Sequence, residues 1–472
     1  MEVRVDSTLE ELFERLPLAP GITQLYPHQE EAIDWALTLP EPYLFINAPT
    51  GSGKSLMLAS IGQAADVTWT YAVHTIMLQQ QVASTFEDIP VFMGRGNFPC
   101  LIWETTHPFA KEPITADQAI CTMDDYDRGD CEHDGKDVLA DMCPYYQQMY
   151  DAMGSHARVV NYSMLLNYPP LVLPTRVPYY NTTELLLCDE AHNVEQAVCN
   201  AVSLAVSART LRRIGEKMPK YTDILEWAAW ADKTVDYIPR TDKPDLGFRN
   251  LKRTLDQLRA INSATAGEWM IEVRDDLVIF EPVWGAPFVM EKLMGHKEVP
   301  ESANLMESMR GTSKGVGKAV FASATLMGAE YIAETLGLPD GSWAYLDMPS
   351  TFPVANRPIN YAPVDGMNAT KLSTFEGRER MQDAIDELVY HYVMAGTPWG
   401  VVHAVSNKYR DFILTESRWS GIMVTTPDEH AKRVDAGEPS VLVAANVTEG
   451  WDGRDDLCRF VIMPKVPFPN LG

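Results

Sequence analysis

The stretch Ala48-Pro49-Thr50-Gly51-Ser52-Gly53-Lys54-Ser55 constrains this chain more than any other. It follows a short apolar run, Tyr43 to Asn47, and leads into helix-forming residues from Leu56. In the order strand, glycine-rich loop, helix, the glycines let consecutive backbone N–H groups turn inward around phosphates. The positive end of the helix then faces the same anion. Thr50, Gly51, Ser52, Gly53, Lys54 and Ser55 therefore form a candidate nucleotide site, with Lys54 reaching the β- and γ-phosphates and the Ser55 hydroxyl on Mg²⁺. The strict pattern has glycine where this chain has Ala48. The compact Thr50–Ser55 core and its flanking elements carry the match.

A second motif supports the first. Leu185-Leu186-Leu187-Cys188 reads as an apolar strand and ends in Asp189-Glu190-Ala191-His192. Phosphoryl transfer needs one carboxylate for the magnesium shell and another to activate water. Asp189 fits the first role and Glu190 the second, with His192 sensing the γ-phosphate. Further apolar segments at 67–74, 319–322, 399–402, 422–425, 441–444 and 460–463 alternate with helical patterns such as 28–38 and 378–394. The expected fold class is α/β, with two domains built on parallel sheets.

Two stretches depart from this alternation. Residues 94–145 lack clear periodicity and carry 11 acidic against 4 basic residues, net −7. They hold Cys100, Cys121, Cys131 and Cys143, four of the chain's 7 cysteines. Four thiolates can hold a [4Fe–4S] cluster or a zinc ion, and spacing alone does not decide between them, although the close pairs usual for zinc are missing. Cys188, Cys199 and Cys458 read as core residues. Residues 201–312 form the second departure, a mainly helical insertion with a β-hairpin turning at Asp275-Asp276.

The formal net charge of −26 argues against nucleic-acid binding unless positive charge is concentrated locally. The helical insertion supplies candidates in Arg209, Arg212, Arg213, Arg249, Lys252 and Arg253; the competing reading pairs them with neighbours such as Glu216 and Asp256. Trp227, Trp230 and Trp269 read as packing residues rather than base platforms. No window approaches the ~18 apolar residues of a membrane span, and the N-terminus has no secretory pattern, so a cytoplasmic protein without a membrane partner is expected.

Together these motifs resemble superfamily 2 helicases. The Asp-Glu-Ala-His-Asn form at 189–193 and the cysteine insertion are similar to the XPD/DinG family of iron–sulfur DNA helicases, in a compact form like that of phage-encoded members. Tyr26-Pro27-His28-Gln29 resembles the family's adenine-recognition segment, with Gln29 on the base. Val73-His74-Thr75 with Leu78-Gln79 resembles its first DNA-contact motif. Ser323-Ala324-Thr325-Leu326 resembles the motif coupling hydrolysis to movement. Glu449-Gly450-Trp451-Asp452 resembles the one touching both nucleotide and DNA, which assigns Glu449 and Asp452 to the nucleotide site. The sequences around Cys100 and Cys143 resemble the family's cluster-flanking segments and favour [4Fe–4S].

The resemblance implies two RecA-like P-loop motor domains, the second C-terminally incomplete, in the following layout. Motor domain 1 comprises 1–93, 146–200 and 313–328, interrupted by the iron–sulfur insertion at 94–145 and an arch at 201–312; motor domain 2 comprises 329–472. It implies an ATP- and Mg²⁺-dependent 5′→3′ helicase acting on single-stranded or forked DNA, or on an RNA–DNA hybrid. The family's C-terminal arginine motif has no counterpart before Gly472. The alternative expectation is therefore an ATP- and DNA-binding subunit that hydrolyses poorly until a partner polypeptide supplies those arginines.

Overall fold

The computed structural model describes residues 24–86, 89–103, 113–119, 121, 143–172, 181–239, 246–295, 315–350, 353, 355, 358–364, 368–404, 406–445, 453 and 455–464. The chain divides into two compact units, residues 1–351 and 352–472.

In the first unit, strands β1 (Tyr43–Asn47), β2 (Trp69–Val73), β3 (Val91–Phe92), β4 (Ala157–Asn161) and β5 (Leu185–Asp189) lie in the main sheet. Strands β6 (Leu204–Ser207), β7 (Trp269–Arg274) and β8 (Leu277–Pro282) form a separate small sheet. Strands β9 (Lys318–Ser323) and β10 (Trp343–Asp347) return to the main one. The main sheet has the order β10-β1-β9-β5-β2-β4-β3, and every neighbouring pair is parallel. Its central strands are apolar at consecutive positions because both faces are covered. Tyr43, Phe45, Ala72, Leu186 and Cys188 enter the core on one face, while Leu44, Ile46, Tyr71, Val73, Leu185 and Leu187 enter the core on the other. The helices Pro27–Thr38 and Lys54–Ala64 bury Ala32, Ile33, Met57, Leu58 and Ile61 on this second face.

Residues 329–347 differ from expectation. The sequence reading placed them in the second motor domain. Instead, the helix Ala329–Thr335 packs Ile332 and Ala333 into the first unit's core, and β10 pairs with β1 from Tyr43↔Trp343 to Asn47↔Asp347. A β-strand resembles its neighbours in composition whichever sheet it joins, so the pattern alone could not assign it.

The insertion after β5 contains the expected hairpin. β7 and β8 pair antiparallel from Trp269↔Pro282 to Arg274↔Leu277, and Asp275 adopts a positive φ of 37° in the two-residue turn. β6 adds to β8, and the helices Ile224–Thr234 and Leu246–Leu258 close a core around Trp227. Trp227 meets Trp230 and Phe280 edge-on, and Trp269 meets Phe288, in agreement with a packing role.

The second unit carries a four-stranded parallel sheet, β12 (Met423–Val424), β13 (Ser440–Ala444), β11 (Trp399–His403) and β14 (Phe460–Ile462), in that spatial order. The helix Phe375–Met394 and the helices Asn407–Glu416 and Pro427–Asp435 accompany it. Mixed α/β structure on parallel sheets thus holds in both units.

Candidate functional site

In open parallel sheets, ligands gather beyond the carboxyl ends of the strands. There β1, β9 and β5 lie side by side, ending in Asn47, Ser323 and Asp189. The glycine-rich loop leaves β1 directly. Gly51 and Gly53 both adopt left-handed backbone, φ 80° and 79°, which an L side chain strains to reach. At Gly53 space is short as well: a Cβ would come within 2.2 Å of Gln29 Nε2.

Gln29 is buried in the helix that precedes β1. Its Nε2 donates to the Ser52 carbonyl at 2.9 Å, and its Oε1 accepts from the Tyr26 N–H at 2.9 Å. The side chain expected on a base is thus engaged with the loop itself. Beside it His28 Nε2 lies 3.3 Å from the same carbonyl, and the exposed Tyr26 ring stacks on His28 at 5.6 Å.

Lys54 and Ser55 open the next helix and face the second motif. Lys54 Nζ is 3.7 Å from Glu190 Oε1, and Ser55 Oγ is 3.5 Å from Asp189 Oδ2. Asp189 Oδ1 accepts the Glu190 N–H at 2.9 Å. Glu190 itself adopts φ 48°, an uncommon region for a side chain with a Cβ. His192 Nδ1 is 2.8 Å from Ser323 Oγ and 3.5 Å from Glu190 Oε2, so the acidic motif is tied to the start of Ser323-Ala324-Thr325-Leu326. The Thr325 N–H in turn donates to Ser323 Oγ at 3.2 Å.

Three residues that the sequence reading missed complete this site. Tyr71 donates its hydroxyl to Asp189 Oδ2 at 2.7 Å, and Tyr162 donates to the Asp189 carbonyl at 2.6 Å. Burial is the first cause that pushes both phenols well above the ordinary tyrosine range, followed by Asp189 at Tyr71 and by Cys188 and then Asp189 at Tyr162. Asn47 donates Nδ2 to Asp347 Oδ1 at 2.8 Å and accepts the Leu326 N–H at 3.3 Å. A tyrosine inside an apolar strand is a signal in itself, because its buried hydroxyl must find an acceptor.

The donor set fits a nucleotide phosphate with Mg²⁺. Lys54 supplies a cation, the loop supplies backbone N–H groups, and Ser55 and Asp189 supply the oxygens a hard cation prefers. Glu449 and Asp452 lie outside the described residues.

The cysteines stand differently. Cys100 and Cys143 are buried, and Cys121 is half-buried beside Arg95, whose Nη1 donates to its sulfur at 3.3 Å while the guanidinium stacks 4.5 Å from the Tyr145 ring centre. Cys131 lies outside the described residues. Among the described residues no group of three or more His, Cys, Asp or Glu side chains converges to hold a metal. The expected cluster site is therefore not assembled by the residues described.

Of the basic candidates, Lys252 pairs with Asp256 at 3.4 Å, as the competing reading holds. Arg212 pairs with Asp276 at 3.3 Å, and Arg213 stacks on Phe248 at 4.3 Å. Gln79, expected at nucleic acid, is fully buried and donates to the carbonyls of Phe92 and Val159 at 2.9 and 3.0 Å. Thr75 caps its helix through the Leu78 N–H. No described helix is long and apolar enough to cross a membrane.

No family model matches the chain, and no curated protein sequence matches it. Solved structures do. One described as "XPD_Helicase" aligns over 94% of this chain and 85% of its own, at 14% identity and a TM-score of 0.51. One described as "XPD_APO" covers 92% of this chain and 82% of its own, at 12% identity and a TM-score of 0.46. The S. tokodaii Xpd4 structure covers 89% and 80%, at 11% identity and a TM-score of 0.42. At such identity the first of these likenesses shows one thing: this chain shares its fold with an XPD helicase structure.

Proposed function

We propose that this chain is an ATP-dependent nucleic-acid motor, a helicase or translocase of the XPD type. It would move 5′→3′ on single-stranded or forked DNA. One observation carries the reading: Lys54, Glu190, His192 and Ser323 form a continuous chain of contacts at the carboxyl ends of three adjacent strands. That arrangement supports a reading in which a phosphate cradle, a general base and a link to the Ser323–Leu326 motif act within one network. Mg²⁺, when bound, would neutralise charge developing on the transferred phosphoryl group. Lys54 and the loop amides would hold the phosphates, and Glu190 would take the proton of the attacking water. His192 would pass a change at Glu190 to Ser323. The fold shared with an XPD helicase structure supports this reading.

The finer parts of the proposal rest on resemblance. The resemblance alone assigns Cys100, Cys121, Cys131 and Cys143 to a [4Fe–4S] cluster, which the described three would have to converge to hold. Its test is the visible absorbance and iron content of anaerobically purified chain, both lost in Cys121→Ser.

The function is tested by ATP turnover with and without single-stranded DNA. DNA-stimulated turnover that is lost in Lys54→Ala, together with nucleotide affinity, is the expected result. Unchanged nucleotide affinity in Lys54→Ala would remove the assignment, and stimulation by RNA but not DNA would redirect it.

A further inference from the structure

The adjacent residues Asp189 and Glu190 carry two different tasks, and two buried tyrosines hold them from outside the motif. Tyr71 sits in the middle of β2, the neighbour of β5, and is fully buried. Its hydroxyl donates to the same Asp189 oxygen that Ser55 approaches, at 2.7 Å against 3.5 Å. Tyr162 opens the short helix after β4, and its hydroxyl reaches the Asp189 carbonyl at 2.6 Å. That carbonyl belongs to the peptide entering Glu190, whose φ of 48° is one of three positive values at non-glycine residues among those described. Such a conformation persists only where its surroundings determine it.

Resting on the ATP-site reading above and deepening it, we infer that Tyr71 and Tyr162 are positioning residues with separate duties. Tyr71 orients the Asp189 carboxylate for the magnesium side, and Tyr162 pins the Asp189–Glu190 peptide so that Glu190 keeps its left-handed turn toward Lys54 and His192. The chemistry favours this division. A carboxylate free to rotate presents its oxygens at random, whereas a phenol hydrogen bond occupies one lone pair and fixes the plane. A peptide whose carbonyl is anchored cannot flip, so the next side chain keeps its direction. Neither phenol touches substrate, and neither transfers a proton.

The test uses the full chain and a fluorescent ATP analogue, titrated with Mg²⁺ and in EDTA, with ADP·aluminium fluoride affinity as a transition-state readout. In Tyr71→Phe, the Mg²⁺ midpoint for nucleotide binding should rise about tenfold, a loss of about 1.4 kcal/mol, while affinity in EDTA stays as in wild type. Tyr162→Phe should keep the Mg²⁺ midpoint and ATP affinity but lose about tenfold in ADP·aluminium fluoride affinity. A merely structural role would lower the melting temperature without this split.

Because Tyr71 acts through Asp189, Tyr71→Phe should add nothing to Asp189→Asn. That double variant removes the phenol while leaving a neutral amide rather than an unpaired buried charge, so it also serves where Tyr71→Phe alone fails to fold. A further shift beyond Asp189→Asn would overturn the inference. So would wild-type metal and transition-state behaviour in both phenylalanine variants while Lys54→Ala loses binding. Retained binding in Lys54→Ala fails the ATP-site reading itself, a separate outcome.

Discussion

Gly53 of the proposed phosphate loop differs from several other left-handed glycines in what a Cβ would meet. Gly53 and Gly341 both have left-handed backbone, φ 79° and 72°, but a Cβ on Gly341 meets nothing within 4 Å while one on Gly53 meets Gln29. Gly341→Ala should cost only the conformational strain, about 1–2 kcal/mol, with nucleotide affinity unchanged. Gly53→Ala carries the same strain and also displaces the Gln29 side chain that braces the Ser52 carbonyl. Through the displaced brace it should weaken nucleotide binding about tenfold, about 1.4 kcal/mol. Equal affinities in the two variants, read by nucleotide titration, would show that the brace is unimportant. For Glu190→Gln the expectation is retained ATP binding and a loss of about 10²–10⁴ in turnover, the usual worth of a general base. Surviving turnover would move that role elsewhere. Lys54, Ser55, Asp189 and Glu190, which the fold brings together, stand out in the sequence because the proposed phosphate chemistry dictates the residue type at each position. The partners of Tyr71, Tyr162 and Asn47 do not, since each lies across a strand pairing or a connection that no local pattern states.

Elements were readable where hydrophobic periodicity was clean and hidden where one polar residue broke it. β1, β5, β9, β11 and β13 lie within a residue of the expected runs. β4 went unseen because its sequence, Ala157-Arg158-Val159-Val160-Asn161, places a charge near its start. Arg158 is nevertheless fully buried, paired in register with Thr70. Its Nη1 lies 3.6 Å from Met153 Sδ, and among the described residues its Nε and Nη2 have no hydrogen-bond partner. Burial pushes its pKa down to about 10, the mark of a guanidinium held against its solvation preference. A buried charge without a carboxylate costs free energy that an apolar side chain of similar length avoids. Arg158→Met should therefore raise the stability of the first unit by about 1–4 kcal/mol, seen as a higher thermal midpoint. A lower midpoint would mean that the guanidinium is satisfied in a way these contacts do not convey.

At the scale of the whole molecule, each unit closes its own core, and their responses to acid can be separated. The first unit is built on the two faces of its seven-stranded sheet, the second around Met381, Ile385, Val402, Ile413 and Phe460. The second also contains two histidines whose pKa values are lowered by burial, His403 and His430. His430 is fully buried, with Nδ1 2.8 Å from the Ser440 hydroxyl and Nε2 2.8 Å from the Leu457 carbonyl. The carbonyl accepts only a proton carried on Nε2, and the hydroxyl can donate to Nδ1, so this pairing suits the neutral ring. In the unfolded chain both histidines return to about 6.5. Between that value and the lower folded one, the unfolded chain binds more protons. Stability contributed by these groups is therefore present above about pH 6.5 and is lost as the pH falls through the window beneath it. Calorimetry from about pH 7.5 to 5.5 should show the second unit's transition moving to lower temperature, and His430→Gln should reduce that movement while lowering the midpoint at the upper pH. A second-unit transition that stays put across this range would mean that the buried rings are protonated in the fold. The pairing of His430 with the Leu457 carbonyl and the Ser440 hydroxyl would then have to be the charged one.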